Sequence, residues 1–134
     1  MIPYGPDATP NAEGDLMYAS FRLAGQRFAA MDSALDHDFA FNEAISLVAN
    51  CDDQDELDRY ADALSADPTA EQCGWIKDRF GLSWQITPTE LNHMLAHGSP
   101  EQIARVTAAY LPMRRFHLDQ LRAAYRVESG ASTT

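Results

Sequence analysis

The stretch from Cys73 to Pro88 limits what this chain can fold into more than any other. Leu82, Trp84 and Ile86 alternate with Ser83, Gln85 and Thr87, so one side is large and apolar while the other is small and polar. A period of two with that contrast predicts a strand packed on one face and open to a cleft on the other. Cys73 to Lys77 reads as a preceding strand, and the pattern breaks at Phe80-Gly81, where a glycine allows a tight turn. The segment is therefore expected to be two strands joined by a turn.

Around that hairpin the chain divides by pattern. Residues 1–14 hold three prolines and two glycines without apolar periodicity and read as a loop or arm; residues 15–88 carry the sheet modules, residues 89–127 a helical tail, and residues 128–134 a disordered end of one 134-residue domain. Leu16 to Met31 is expected to be a hairpin turning at Ala24-Gly25-Gln26, and Asp36-His37-Asp38 a polar loop. Phe39 to Ala49 reads as a third strand, with Phe41, Ile45 and Leu47 on one face and Asn42, Ala44, Ser46 and Val48 on the other. Asp52 and Asp53 then supply caps for a helix on which Leu57, Tyr60, Ala61 and Leu64 recur at helical spacing. Strand, helix and hairpin between Phe39 and Thr87 make a β-α-β-β unit.

Helix-start signals follow in series. Thr87-Pro88-Thr89-Glu90 has the spacing of a capping box with proline at the first helical position, and its helix presents Leu91, Met94 and Leu95 before stopping at Gly98. Ser99-Pro100-Glu101-Gln102 repeats the device ahead of Ile103, Val106, Thr107 and Tyr110, and a third helix after Pro112 carries Leu118, Leu121 and Tyr125.

The formal charge of -10 repels phosphate backbones and anionic membranes, so nucleic acid is not expected as a partner; a small molecule or another protein is. Cys51 and Cys73 lie outside any Cys-x-x-Cys pattern and are expected to be reduced thiols. No apolar run approaches the roughly 20 residues of a membrane span, and the N-terminus lacks the basic and apolar regions of a signal peptide, which together predict a cytoplasmic protein.

Four runs, Phe41-Asn42-Glu43-Ala44-Ile45-Ser46, Asn50-Cys51-Asp52, Glu71-Gln72-Cys73-Gly74-Trp75 and Lys77 to Pro88, resemble the PhnB-like group. That group is also known as 3-demethylubiquinone-9 3-methyltransferase and belongs to the glyoxalase/bleomycin resistance/dioxygenase, or vicinal oxygen chelate, superfamily. The likeness extends from about Tyr4 to Tyr125. It implies an α+β fold of paired βαβββ modules whose curved mixed sheets enclose a cleft, with a C-terminal helical extension. The strand, helix and strand that open the group's members before the loop resembling Tyr4-Gly5-Pro6-Asp7 are missing here. Either the start is truncated or a partner supplies those strands; as it stands the first module is incomplete and leaves an unpaired sheet edge, which predicts a homodimer.

The resemblance also implies where a divalent metal would bind in metal-dependent members. The first ligand position falls in the missing strand, the second near Ala29–Asp32 with Asp32 its one candidate, the third near Ala44, and the fourth at Gln85. Three ligands of His or carboxylate character are not assembled, so no metal or other cofactor is expected. Nor is there a Gly-rich strand-to-helix turn of the kind that holds a nucleotide cofactor, which leaves the methyltransferase name without support in the residues.

Other constellations have plainer readings. Glu90, His93 and His97 share a helix face, but histidines near a helix C-terminus are favoured by the dipole alone. His37 sits in a solvated turn, Cys73 has no histidine near it in sequence to act as base, and Asp32 with Glu43 makes a carboxylate pair only against strand alternation. Trp84 is expected in the core, while Trp75 is open to either role. The expected function is metal-free binding of a small molecule, with Asp32, Asn42, Ser46, Ser83 and Gln85 lining the cleft and no catalytic residue assigned. The alternatives are a metal-dependent isomerase, lyase or dioxygenase of the superfamily, and a structural or assembly module.

Overall fold

The structure, a computed structural model, describes residues 1–126; the end expected to be disordered, 128–134, lies outside them. The chain forms two compact units, Met1–Ala40 and Phe41 onward.

The first unit is a three-stranded antiparallel sheet in the order β1-β2-β3, formed by β1 (Ile2–Pro3), β2 (Leu16–Leu23) and β3 (Gln26–Ala30). The hairpin read over Leu16–Met31 is β2 and β3. Its two-residue turn places Ala24 at φ 47° and Gly25 at φ 79°, the left-handed pair that matches the twist of a tight hairpin. Phe21 and Phe28 face each other across the ladder with ring centroids 5.6 Å apart. Residues 1–14 are not wholly a loop: β1 pairs with β2 and occupies one edge of the hairpin. The outer edge of β3 has no strand beside it among the described residues, and Met17, Tyr18, Phe21 and Leu23 are exposed.

The second unit is built on a β-α-β-β unit: β4 (Ser46–Cys51), α1 (Gln54–Leu64), β5 (Trp75–Lys77) and β6 (Ser83–Pro88), with sheet order β4-β6-β5. β4 and β6 run parallel, which requires a crossover, and α1 supplies it. Asp53 caps α1 by accepting the Glu56 N–H at 2.8 Å, and the Glu56 carboxylate accepts the Asp52 N–H at 2.9 Å. Asp78 shapes the β5–β6 turn: one carboxylate oxygen accepts the N–H groups of Phe80 and Leu82, and the other accepts Trp84 Nε1 at 3.0 Å. Gly81 takes φ 83° within that turn.

Three helices follow, α2 (Thr89–His97), α3 (Pro100–Tyr110) and α4 (Leu118–Arg126). One face of the sheet carries Cys51, Ile76 and Ile86 into a core completed by Leu57, Leu91, Met94, Val106, Met113, Phe116 and Leu121. Trp84 packs against this core, as its place beside Leu82 and Ile86 predicts. The Ser99 capping box forms in full, with Ser99 Oγ accepting Gln102 N–H and Gln102 Oε1 accepting Ser99 N–H.

Two further expectations are corrected. The strand read over Phe39–Ala49 starts only at Ser46, and Phe39, Phe41 and Ile45 lie exposed in irregular chain. The ladder explains the shift: Ser46 pairs with Ser83, the first residue of β6, so nothing in β6 lies opposite residues 39–45. The box at Thr87-Pro88-Thr89-Glu90 is not made either. β6 runs through Pro88, which pairs with Cys51, so Thr87 is held in the strand and Pro88 is the N-cap of α2 without a side-chain cap bond.

Candidate functional site

With helices on one face of β4-β6-β5, the strand alternation puts Ser46 and Val48 of β4, Ser83, Gln85 and Thr87 of β6, and Trp75 and Lys77 of β5 on the other. The antiparallel register sets Lys77 opposite Ser83 and Trp75 opposite Gln85, so an ammonium, a hydroxyl, an indole and an amide form one quadrilateral. A cavity of about 530 Å³ opens beside them, lined by Glu43, Gln72, Cys73, Trp75, Lys77 and Ser83 together with Ala70 and Ile76.

Each polar group there has a definable state. Ser83 is only 1% exposed yet reaches the cavity. Gln85 Nε2 donates to Ser46 Oγ at 2.8 Å, which leaves the Ser46 hydroxyl proton free to donate onward. Lys77 Nζ lies 2.6 Å from Glu43 Oε1. The hydrogen bond and charge of Lys77 hold the Glu43 carboxyl below its ordinary range, and Glu43 in turn holds the Lys77 ammonium above its own. Cys73 takes the left-handed φ of 50° and its thiol donates to the Leu111 carbonyl at 3.2 Å.

The residues expected to line a cleft are only partly gathered. Ser46, Ser83 and Gln85 share the open face. Asn42 lies in the exposed irregular chain before β4, where its Oδ1 accepts the Ala44 N–H at 2.9 Å. Asp32 belongs to the first unit and closes the open end of its hairpin: Oδ2 accepts the Leu16 N–H at 2.7 Å, and the Asp32 N–H donates to the Leu16 carbonyl. From the sequence, Trp75 is open to either role and Glu43 is weighed only beside Asp32, while Lys77 is missed as a site residue. The five-residue turn from Asp78 to Leu82 carried the signal for Lys77, because counting back from it places Lys77 opposite Ser83.

The donors do not fit the metal of the wider superfamily. Asp32 is engaged with backbone, Ala44 has no donor, and Gln85 is a neutral amide turned toward Ser46. Among the described residues no group of three His, Cys, Asp or Glu side chains could hold an ion. His93 and His97 do meet on α2, their rings 4.5 Å apart, but Glu90 is taken by Arg122 Nε at 2.9 and 3.1 Å. Among the described residues no helix is long and apolar enough to cross a membrane.

Comparison with known proteins agrees with the architecture. The family model for 3-demethylubiquinone-9 3-methyltransferase matches residues 2–87, both sheets and α1 but none of α2–α4. The structure of the PhnB protein from Bacillus cereus, which carries the same methyltransferase name, is similar at a TM-score of 0.56 and 32% identity over 66% of this chain and 75% of that one. No curated protein matches the chain. By sequence and by structure, the chain belongs to the PhnB-like, 3-demethylubiquinone-9 3-methyltransferase domain family, with a fold of the vicinal oxygen chelate type.

Proposed function

We propose that this protein binds a small molecule on the open face of β4-β6-β5 and does so without a resident metal. The observation that carries the reading is a buried serine, Ser83, and the aromatic Trp75 lining one cavity of about 530 Å³, large enough for a compact organic ligand. Apolar walls with a few converging polar groups are what such sites use to gain affinity and orientation. The test is ligand-observed NMR with a panel of small aromatic acids, amides and alcohols, followed by mapping on the amide and indole resonances of the protein. Binders should shift the Trp75 indole and the backbone of Ser83 to Gln85. Binders that shift only other surfaces, or no binders at all, would overturn the reading.

A second property rests on the first unit. An edge strand with no strand beside it among the described residues, next to exposed Met17, Tyr18, Phe21 and Leu23, is a surface that proteins in water cover. We infer a homodimer in which the β3 edge meets a second copy, burying at least about 1,000 Å² in total. Light scattering at micromolar concentration should give twice the chain mass, and Phe28→Lys with Phe21→Lys should return the monomer; a wild-type monomer removes the inference.

A further inference from the structure

The Glu43–Lys77 pair shows what the open face is built to receive. Glu43 reaches Lys77 from the irregular chain ahead of β4, where its neighbours Phe41 and Ile45 are exposed, and its own side chain is 63% exposed against 29% for Lys77. The cation is thus the fixed partner, set on β5 within a ladder, and the carboxylate is the loosely held one. Directly across the ladder stands Ser83, buried and lining the same cavity. One step along β5 on the same face lies the Trp75 indole. Two donors of different kinds and one flat aromatic surface therefore converge on a cavity whose cation is occupied by the protein's own carboxylate.

We propose that this face binds a planar carboxylate, its carboxylate group replacing that of Glu43 on Lys77 and accepting from the Ser83 hydroxyl while its ring lies against Trp75. The inference rests on the small-molecule reading above and names the ligand class. A carboxylate fits better than a phosphate, because the cavity offers a single cation and a net acidic protein surrounds it, whereas a phosphate dianion calls for more positive charge. Glu43 then acts as a built-in competitor, and ligand binding frees the segment that carries it.

The probes are 2-naphthoate and its neutral isostere 2-naphthamide, titrated by NMR on the Trp75 indole resonance, itself assigned by its loss in Trp75→Phe. 2-Naphthoate should bind about tenfold tighter than 2-naphthamide. Glu43→Gln, an exposed and conservative change, should tighten 2-naphthoate about fivefold and leave 2-naphthamide unchanged. Lys77→Met should erase the difference between the probes, and Ser83→Ala should weaken 2-naphthoate about fivefold. If both probes bind equally, or Glu43→Gln fails to tighten 2-naphthoate, the carboxylate proposal fails while the small-molecule reading stands. If neither probe moves the Trp75 resonance, the carboxylate proposal fails outright, and the fragment panel decides the broader reading.

Discussion

The ring of Phe116 lies where Gly74 would carry a side chain. Gly74 takes φ 78°, and a Cβ built there would meet the Phe116 ring and come within 2.8 Å of the Ile86 carbonyl. The same stretch is tied to the α3–α4 connection by backbone bonds, Cys73 N–H to Met113 O at 2.8 Å and Gly74 N–H to Arg114 O at 2.9 Å. The glycine before Trp75 is therefore a packing requirement as well as a backbone one.

Gly74→Ala should lower unfolding free energy by about 2–4 kcal/mol, combining left-handed backbone strain with overpacking. Gly25→Ala is the control, since its φ is also positive but nothing lies within 4 Å of the added carbon; it should cost only about 1 kcal/mol. Urea denaturation of the two variants checks the contrast, and equal losses would mean that Phe116 yields.

Ser46 and Gln85 should behave as a coupled pair. Gln85→Leu and Ser46→Ala should each cost about 1 kcal/mol, with the double variant losing less than the sum, because the bond from Nε2 to Oγ can be lost only once. Strict additivity in that cycle would show that the two side chains do not bond in solution.

The two cysteines should differ sharply toward a thiol reagent. Cys51 is fully buried, and desolvation pushes its thiol from an ordinary 9.0 up to about 11. Cys73 is half-buried at the cavity wall. At pH 8 the native protein should be alkylated at Cys73 and spared at Cys51 until denaturant is added, as read by peptide mass spectrometry. Because the folded state holds the Cys51 proton more tightly than the unfolded one, this thiol should also make stability fall as pH rises from about 9 toward 11. Cys51→Ser should alter that alkaline slope.

Glu43 titrates below its ordinary range through its bond to Lys77. A depressed carboxylate favours the folded arrangement above its unfolded pKa, and that contribution is lost as pH falls through the lower folded value. Carboxyl-carbon NMR should find the Glu43 midpoint below 4.5 in the wild type and shifted upward in Lys77→Met. An unmoved midpoint would sink the ion pair, and with it the competitor role of Glu43.

Much of this fold could be read from neighbouring residues. The β2–β3 turn follows from Ala24-Gly25, the start of α3 from Ser99 and Gln102, and the face of Ser83 and Gln85 from alternation alone, because each depends on residues close in sequence. The failures depended on distant ones. Phe39, Phe41 and Ile45 alternate as a strand would, but strand formation needs a neighbour, and the partner strand begins opposite Ser46. Thr87 has the spacing of a cap yet is held in β6 by its pairing with Asn50. The pairing of Lys77 with Glu43 was missed for the same reason: 34 positions separate them, and nothing local to either names the other.

The family match stops at residue 87, but the second unit's core does not. Leu91, Met94, Val106, Met113, Phe116 and Leu121 all come from later residues and pack against Ile76 and Ile86. At about 1.5–3 kcal/mol for each large side chain buried, they contribute as much as the whole net stability of an ordinary domain. On the ribosome, then, β4, β5 and β6 emerge well before they can settle. The sheet waits, with its apolar side uncovered, until Leu121 clears the exit tunnel, and that interval is when nascent chains are most open to chaperones and to one another.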